Sequence, residues 1–165
     1  MEIPINTTIG VRKVKTVAFS IDEAFYIKGQ DEKLVYEYQH HINLNTELEH
    51  IIFTLRVYWF YPEAGRDYKL VDCHVATTFY IGDFKSYIKE KEGGLVDLSL
   101  SPEVWTIIVG LSFSHLRAAQ SMNVAGTIYE HFIIPIIDPK VFTSQLLNFE
   151  KNTQPEVEIK EKAST

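Results

Sequence analysis

Histidine and cysteine are the residue types that could support metal or nucleophilic chemistry in this chain. There are six histidines but a single cysteine, Cys73. A zinc site needs Cys and His ligands at short, characteristic spacings, and no such spacing occurs here. His40 and His41 are adjacent in a segment with strand periodicity, so their rings point to opposite faces of a sheet and cannot chelate one ion. We expect no metal and no cofactor.

Cys73 stands beside His74, a combination that could make a nucleophile and its base. Alternation along a strand places Cys73 on the apolar face and His74 on the other face, so the two cannot form that pair. A buried cysteine ordinarily acts as a small apolar side chain. Residues 93 and 94 are glycines, but they lack the spacing and the following lysine of a phosphate-binding loop. We predict that the protein is not an enzyme.

Composition and charge narrow the class of protein. The 165 residues are 45% apolar and 23% charged, which is typical of one globular domain. The net charge of −6, without a basic cluster in the sequence, argues against nucleic-acid binding. The N-terminal residues lack the features of a signal peptide, and no apolar stretch reaches the ~18 residues of a membrane span. We expect a cytoplasmic protein that does not insert into membranes.

Period-two alternation of apolar residues predicts four strands, over residues 9–21, 34–44, 49–61 and 69–81. In the first of them, Lys13 and Lys15 interrupt the alternation, which we interpret as a bulge or as a strand that leaves the shelter of the sheet. Short connections between successive strands predict an antiparallel meander, because parallel pairing would need crossover helices.

Helical periodicity begins after residues 83–100, a charged stretch that we interpret as a flexible surface excursion. Ser101 is a suitable N-cap and Pro102 suits the first helical position. Apolar residues at spacings of three and four then predict one long amphipathic helix, with a stripe of Val104, Ile108, Leu111, His115, Ala118, Ala119, Met122, Ala125 and Tyr129. An apolar loop over residues 132–137 leads to a shorter helix, which Asp138 and Pro139 begin.

These elements define the fold class and the domain organisation. We predict an α+β fold, in which a four-stranded antiparallel sheet packs on a long helix and a short C-terminal helix. Residues 1–149 form a single domain. From residue 150 the composition turns polar and charged, so residues 150–165 are predicted to be a disordered tail.

Aromatic residues supply the remaining candidate site. Ten Phe, nine Tyr and two Trp make up 13% of the chain. Three segments, residues 25–27, 59–61 and 129–134, carry more ring area than local structure explains. If they converge they form a hydrophobic groove, a surface suited to gripping another chain. The alternative is that these rings bury each other or lie in a subunit contact.

The helical half of the chain resembles the protein-export chaperone SecB family. The resemblance is carried by residues 112–127, Ser-Phe-Ser-His-Leu-Arg-Ala-Ala-Gln-Ser-Met-Asn-Val-Ala-Gly-Thr, and by residues 133–142, Ile-Ile-Pro-Ile-Ile-Asp-Pro-Lys-Val-Phe. They are similar to a family pattern of an aromatic residue, an arginine four positions on, a helix ending near Gly-Thr, an apolar segment with proline, and a final amphipathic helix. Residues 71–75, Val-Asp-Cys-His-Val, also resemble a family strand, and the order of elements matches over nearly the whole chain.

The resemblance implies a SecB-like fold and a chaperone that holds unfolded or precursor polypeptides without ATP, in the setting of protein export. It implies a homodimer or a homotetramer, the latter a dimer of dimers with helices between the sheets. It also implies client binding in grooves lined by aromatic side chains, a role that would fall in this chain to Phe25, Tyr26, Trp59, Tyr61, Tyr129 and Phe132.

One departure concerns the SecA translocase. Family members that hand clients to SecA show acidic residues on the exposed sheet face, whereas Thr16, Ser20 and His74 occupy the corresponding positions here. Docking on SecA is therefore not clearly matched. Two alternatives stay open: an adaptor or chaperone dedicated to one protein partner, such as an antitoxin, and a protein that binds a small apolar ligand.

Overall fold

The computed structural model describes residues 8–90 and 96–152. One sheet contains four long strands: β1 Ile9–Ile21, β2 Val35–Asn45, β3 His50–Phe60 and β4 Lys69–Ile81. A second, small sheet pairs β5 Ile88–Glu90 with β6 Val96–Leu98, and two helices follow, α1 Pro102–Val124 and α2 Pro139–Asn152. The predicted α+β fold class is confirmed, with its four-stranded antiparallel sheet, long helix and short C-terminal helix.

The four-stranded sheet has the order β1-β4-β3-β2, and all neighbouring strands are antiparallel. The strands β2, β3 and β4 form the predicted meander. β1 pairs with β4 rather than with β2, so the prediction of a meander through all four strands was wrong. The connection over residues 22–34 is long enough to carry the chain to the other edge of the sheet, and the result is a Greek key.

β1 is an edge strand with two irregularities. Its register against β4 shifts between Val11 and Lys13 and again between Thr16 and Ala18, so the predicted bulge is confirmed and a second one accompanies it. Directly paired residues share a face of the sheet. Lys13 and Lys15 pair with outward-facing residues of β4, which places both lysines on the side of the sheet away from the helices.

α1 packs on the inner face of the sheet with a side that coincides only in part with the predicted one. Its buried residues are Val104, Trp105, Ile108, Val109, Ser112, Phe113, Leu116, Gln120 and Val124. The predicted stripe was right at Val104 and Ile108, and farther on at His115, which contacts Thr77 of the sheet, and at Ala119, which packs against the core. It was wrong at Leu111 and Met122, which are 37% and 79% exposed. Apolar residues surround the first half of this helix, so spacing alone does not select the buried side.

α2 begins beside the middle of α1. A Cβ placed on Gly110 would lie 3.4 Å from the Pro139 ring, so the small residue permits the two helices to approach closely. Farther along, Phe142 packs edge-on against Phe113, with ring centroids 4.9 Å apart. α2 extends to Asn152, and the predicted tail beyond that residue lies outside the described residues.

The stretch over residues 83–100 is not simply a surface excursion, as the sequence had suggested. Phe84, which begins a 3-10 turn, is fully buried, and β5 and β6 then pair. The prediction was wrong for these parts because one buried aromatic ring anchors an otherwise charged segment. Residues 91–95 lie outside the described residues.

Buried apolar side chains form two groups. The larger group fills the space between the sheet and the helices and includes Phe53, Leu55, Phe79, Trp105 and Phe113. The smaller group lies where β3 ends and β4 begins, and consists of Trp59, Tyr61, Leu70, Val71, Val124, Tyr129 and Phe132, with Phe19, Ile21, Tyr26 and Leu34 packed at its border. The smaller group therefore brings together most of the aromatic residues of the candidate site.

Candidate functional site

We refer to Tyr26, Trp59, Tyr61, Tyr129 and Phe132 as the aromatic cluster. The ring centroids of Trp59 and Phe132 are 5.4 Å apart, and those of Tyr129 and Phe132 are 5.2 Å apart. Tyr26 packs edge-on against Tyr129 at 5.6 Å. Three segments that are distant in the sequence therefore meet at one end of the sheet.

Local backbone geometry explains how the later segment reaches this place. α1 ends at Val124. Two residues later Gly126 has a φ of 75°, in the left-handed region that glycine adopts without strain. The Thr127 hydroxyl then accepts a hydrogen bond from the Tyr129 backbone N–H at 3.1 Å, and the Phe132 N–H donates to the Tyr129 carbonyl at 2.9 Å. These turns direct both rings back towards the end of β3.

The connection over residues 22–34 lies across the cluster and is held there by side-chain hydroxyls. The Tyr129 hydroxyl donates to the Asp22 carbonyl at 2.5 Å. The Tyr61 hydroxyl accepts from the Ile27 N–H and donates to the Ile27 carbonyl, both at 3.2 Å. Hydroxyl groups of the cluster therefore fasten the connection that covers it.

The cluster is closed in this conformation. The exposed fraction is 0% for Tyr129, 5% for Tyr61 and Phe132, and 9% for Trp59. The rings bury each other, which is the alternative that the sequence left open. Tyr26, which belongs to the connection, is only half-buried. A bound polypeptide could touch the other four rings only if the connection moved.

Phe25 lies apart from the cluster. Its side chain is 42% exposed and packs edge-on against Tyr68, with ring centroids 4.7 Å apart. Of the six predicted residues, five therefore come together and Phe25 remains at the surface. No observation on the chain tests their role in binding, which stays a prediction.

Exposed apolar side chains border the cluster, and we refer to Phe25, Ile27, Tyr36 and Tyr68 as the apolar rim. Their exposed fractions run from 36% for Tyr36 to 46% for Ile27 and Tyr68. Tyr36 lies against Trp59, at 5.0 Å between ring centroids. The sequence did not single out Tyr36 or Tyr68. The alternation along β2 places Tyr36 on the core side of the sheet. It stays partly exposed because β2 is an edge strand, which periodicity cannot predict.

The segment after the cluster is pinned to α1 by its backbone. The Gln120 side-chain amide donates to the Phe132 carbonyl at 2.7 Å, and the Arg117 guanidinium donates to the Ile134 carbonyl at 3.0 Å. Ile133 and Ile136 remain 59% and 81% exposed. Sequence analysis missed the role of Gln120, which is buried and polar within a helix, because such a residue gives no periodic signal.

The chemistry of the cluster is that of neutral rings and hydroxyls. A hydrogen bond to Asp31 raises the pKa of Tyr26, and burial raises the pKa of Tyr129. Both phenols are therefore un-ionised at neutral pH and can donate hydrogen bonds. The cluster can offer a ligand apolar contact and a few polar anchors, but no charge.

Cys73 and His74 lie on opposite faces of β4, as the alternation predicts. Burial raises the pKa of the Cys73 thiol to about 11, so a thiolate is scarce at neutral pH. The His74 imidazole instead contacts Asp72, with Nε2 2.9 Å from Oδ1. Within residues 8–90 and 96–152, no group of three or more His, Cys, Asp or Glu could hold a metal ion.

No helix in the described part of the chain is both long enough and apolar enough to cross a bilayer.

No family model matches the chain, and no curated protein matches it. A solved structure that resembles it is that of a SecB-like chaperone from Mycobacterium tuberculosis in complex with a ChAD peptide from an antitoxin. The sequence identity is 10%, the alignment covers 78% of this chain and 90% of the other chain, and the TM-score is 0.48.

Proposed function

We propose that the protein is an ATP-independent chaperone that holds unfolded or precursor polypeptides by apolar contact. The observation that carries this proposal is the apolar rim, which exposes three aromatic rings and an isoleucine beside the buried aromatic cluster. The sequence resemblance to the SecB family supports the same function and supports protein export as its setting.

The size of the apolar contact is compatible with useful affinity. Roughly 400 Å² of apolar contact contributes roughly 10 kcal/mol before costs, at ~25 cal/mol per Å². Ordering a flexible client chain takes back several kcal/mol. The remainder corresponds to dissociation constants on the order of micromolar, which suits a chaperone that must release its client.

The buried cluster adds to this site if the connection over residues 22–34 lifts. The hydroxyl bonds from Tyr61 and Tyr129 hold the connection, and a hydrogen bond contributes about 1 kcal/mol net to stability. A client that replaces the lost apolar contacts therefore leaves only a small free-energy cost for lifting the connection. In this proposal the client meets the rim first and the cluster second.

The test is suppression of aggregation of a denatured model protein without ATP. The variant Phe25→Ser with Ile27→Ser removes two exposed apolar side chains of the rim and is expected to lose most of the protection. The matched control, Leu48→Ser with Val141→Ser, removes two side chains that are 60% and 54% exposed elsewhere and should protect as the parent does. Equal protection by the parent, the rim variant and the control variant would show that the rim does not bind the client.

The closed state of the cluster favours a second candidate, an adaptor dedicated to one protein partner such as an antitoxin. A partner that recognises only the rim would not need the cluster to open. In that case arbitrary denatured clients would gain no protection, and capture from a native lysate would return one stoichiometric complex. Both results together would replace the general chaperone by the adaptor.

We also propose self-association through α1, as the family resemblance implies. Ile107, Leu111 and Met122 are 47%, 37% and 79% exposed on the side of α1 away from the sheet. The residues between them on that side are small, among them Ser114 and Ala118, so another helix can approach closely. This surface supports a homodimer or homotetramer with helices at its centre.

A further inference from the structure

The outer face of the four-stranded sheet, the face away from the helices, carries a net positive charge. The strands contain five Lys or Arg and two Asp or Glu, which are Arg12, Lys13, Lys15, Glu37, Arg56, Lys69 and Asp72. All seven lie on this outer face. The chain as a whole carries −6, so the sheet has the opposite sign to the rest of the molecule.

Contacts fix these side chains on the outer face. Lys13 and Lys15 pair across β4 with Thr78 and Ala76, which alternate with the buried residues of that strand. The Arg12 guanidinium lies over the Tyr80 ring at 4.9 Å from its centroid, and the Lys69 ammonium lies 5.3 Å from the centroid of Tyr58.

Both carboxylates of this face are already engaged. Asp72 accepts two hydrogen bonds from Arg56, at 2.9 and 2.6 Å. Glu37 accepts from the Tyr58 hydroxyl at 2.5 Å and from Arg66 at 2.9 Å. Burial disfavours the Asp72 anion, but the bonds from Arg56 outweigh it and hold the pKa of that carboxyl below its usual value. Neither carboxylate is available to neutralise the remaining cations.

The cations left over lie on β1. Lys13 and Lys15 are exposed, and among the described residues no carboxylate lies within ion-pair distance of either. The residues directly opposite them on β4, Thr78 and Ala76, have small side chains. A partner could therefore reach both ammonium groups without a steric barrier.

We propose that this corner of the outer face, centred on Lys13 and Lys15 with Arg12 beside them, docks an acidic polypeptide segment. Charge complementarity selects the partner, because the unpaired groups are cations and the strands offer no free carboxylate. A polypeptide fits better than a nucleic acid. Three cations are few against the 6–10 phosphate contacts of a typical DNA-binding protein, and the acidic remainder of the molecule repels a dense polyanion.

The proposal is independent of client binding, since the outer face and the apolar rim are different surfaces. Fluorescence anisotropy can measure binding of a labelled acidic peptide of 14 residues, Glu and Asp interspersed with Ala and Leu, at about 50 and about 300 mM salt. We expect the peptide to bind about tenfold more tightly than its Gln/Asn counterpart at low salt and to weaken at high salt.

Charge reversal locates the site. Lys13→Glu with Lys15→Glu is expected to weaken binding of the acidic peptide by at least about tenfold, because two attractions become repulsions. The control, Lys33→Glu with Lys140→Glu, changes the net charge equally at exposed lysines off the sheet and should weaken binding by less than about threefold. Circular dichroism of both variants verifies that they fold.

Three results would overturn the proposal. One is equal loss of binding in the two variants, which would mean that net charge alone governs the interaction. Another is tighter binding of a single-stranded oligonucleotide of equal charge than of the peptide. The third is no measurable binding of the peptide at low salt. None of these results bears on aggregation suppression, so this proposal and the proposed function can fail separately.

Discussion

Trp59 connects the apolar rim to the aromatic cluster. Tyr36 packs on it at the surface, and Phe132 packs on it inside. Its ring is almost fully buried, and among the described residues its indole N–H has no hydrogen-bond partner. Phe25, by contrast, lies at the surface, so a polar residue there should change the free energy of unfolding little. Trp59 and Phe25 have the same predicted role in client binding, but substitutions at the two positions test different properties. A substitution of Trp59 changes the stability of the fold, whereas a substitution of Phe25 changes the surface.

Two substitutions of Trp59 should separate the stabilisation that its ring contributes from the destabilisation that its unpaired N–H causes. Trp59→Ala should lower the free energy of unfolding by about 3–5 kcal/mol, as for other large aromatic residues in cores. Trp59→Phe should cost much less, about 1 kcal/mol, because it keeps a ring and removes a buried donor that lacks a partner. Urea denaturation followed by circular dichroism measures both. A Phe variant as unstable as the Ala variant would mean that the N–H is bonded in solution.

His115 gives the stability a pH dependence near neutrality. Its ring hydrogen-bonds with the Thr77 hydroxyl at 3.1 Å, and burial lowers its pKa in the folded state. Below the ordinary histidine pKa of about 6.5, the His115 ring is therefore protonated in the unfolded chain but stays neutral over a further pH range in the folded chain. Stability should fall between pH 7.5 and 5.5, and His115→Asn should reduce that fall. Urea midpoints with the same slope against pH in both proteins would contradict this.

At the scale of elements, the strands were predictable and the helix face was not. β2, β3 and β4 were predictable from alternation, and the interruption at Lys13 and Lys15 indicated an irregularity in β1. α1 is apolar on several sides, so only its contacts with the sheet decide which side is buried. The covering position of residues 22–34 was beyond prediction, because bonds such as that from Tyr129 to Asp22 join residues far apart in sequence.

The connection over residues 22–34 should open more readily when a hydroxyl is removed. Tyr129→Phe keeps the buried ring and deletes the bond to the Asp22 carbonyl, which should cost about 1 kcal/mol. Amide hydrogen exchange is expected to accelerate about fivefold over residues 23–33, while exchange in β3 stays near that of the parent. Uniform acceleration throughout the sheet would instead indicate global destabilisation and no local opening.

At the scale of the whole molecule, the described chain leaves three kinds of surface to explain. The apolar rim suits polypeptide clients, the exposed side of α1 suits another copy, and the cationic corner of β1 suits an acidic partner. The last differs in sign from the acidic sheet face through which SecB family members meet SecA. Sequence analysis did not single out this corner, although Arg12, Lys13 and Lys15 lie within four residues of each other. Only the pairing of β1 with β4 places these side chains on the outer face of the sheet.

The exposed side of α1 gives a direct test of assembly. Leu111→Glu with Met122→Glu places two carboxylates where a second copy would pack, and should raise the dissociation constant of the assembly at least tenfold, about 1.4 kcal/mol. Sedimentation velocity over a concentration series measures the shift towards monomer. Leu48→Glu with Val141→Glu adds the same charge elsewhere and should sediment as the parent does. An unchanged series for the α1 variant would exclude this side from the interface.

The strand order also sets the sequence of events during synthesis. Among the four strands of this sheet β1 is synthesised first, yet its only partner in the sheet described is β4, the last of the four. Until β4 has been translated, the first thirteen-residue strand has no template to pair with, whereas the hairpins of β2, β3 and β4 can close as they appear. A nascent chain arrested before residue 69 should therefore be sensitive to protease within β1, and one arrested well past residue 81 should be protected there.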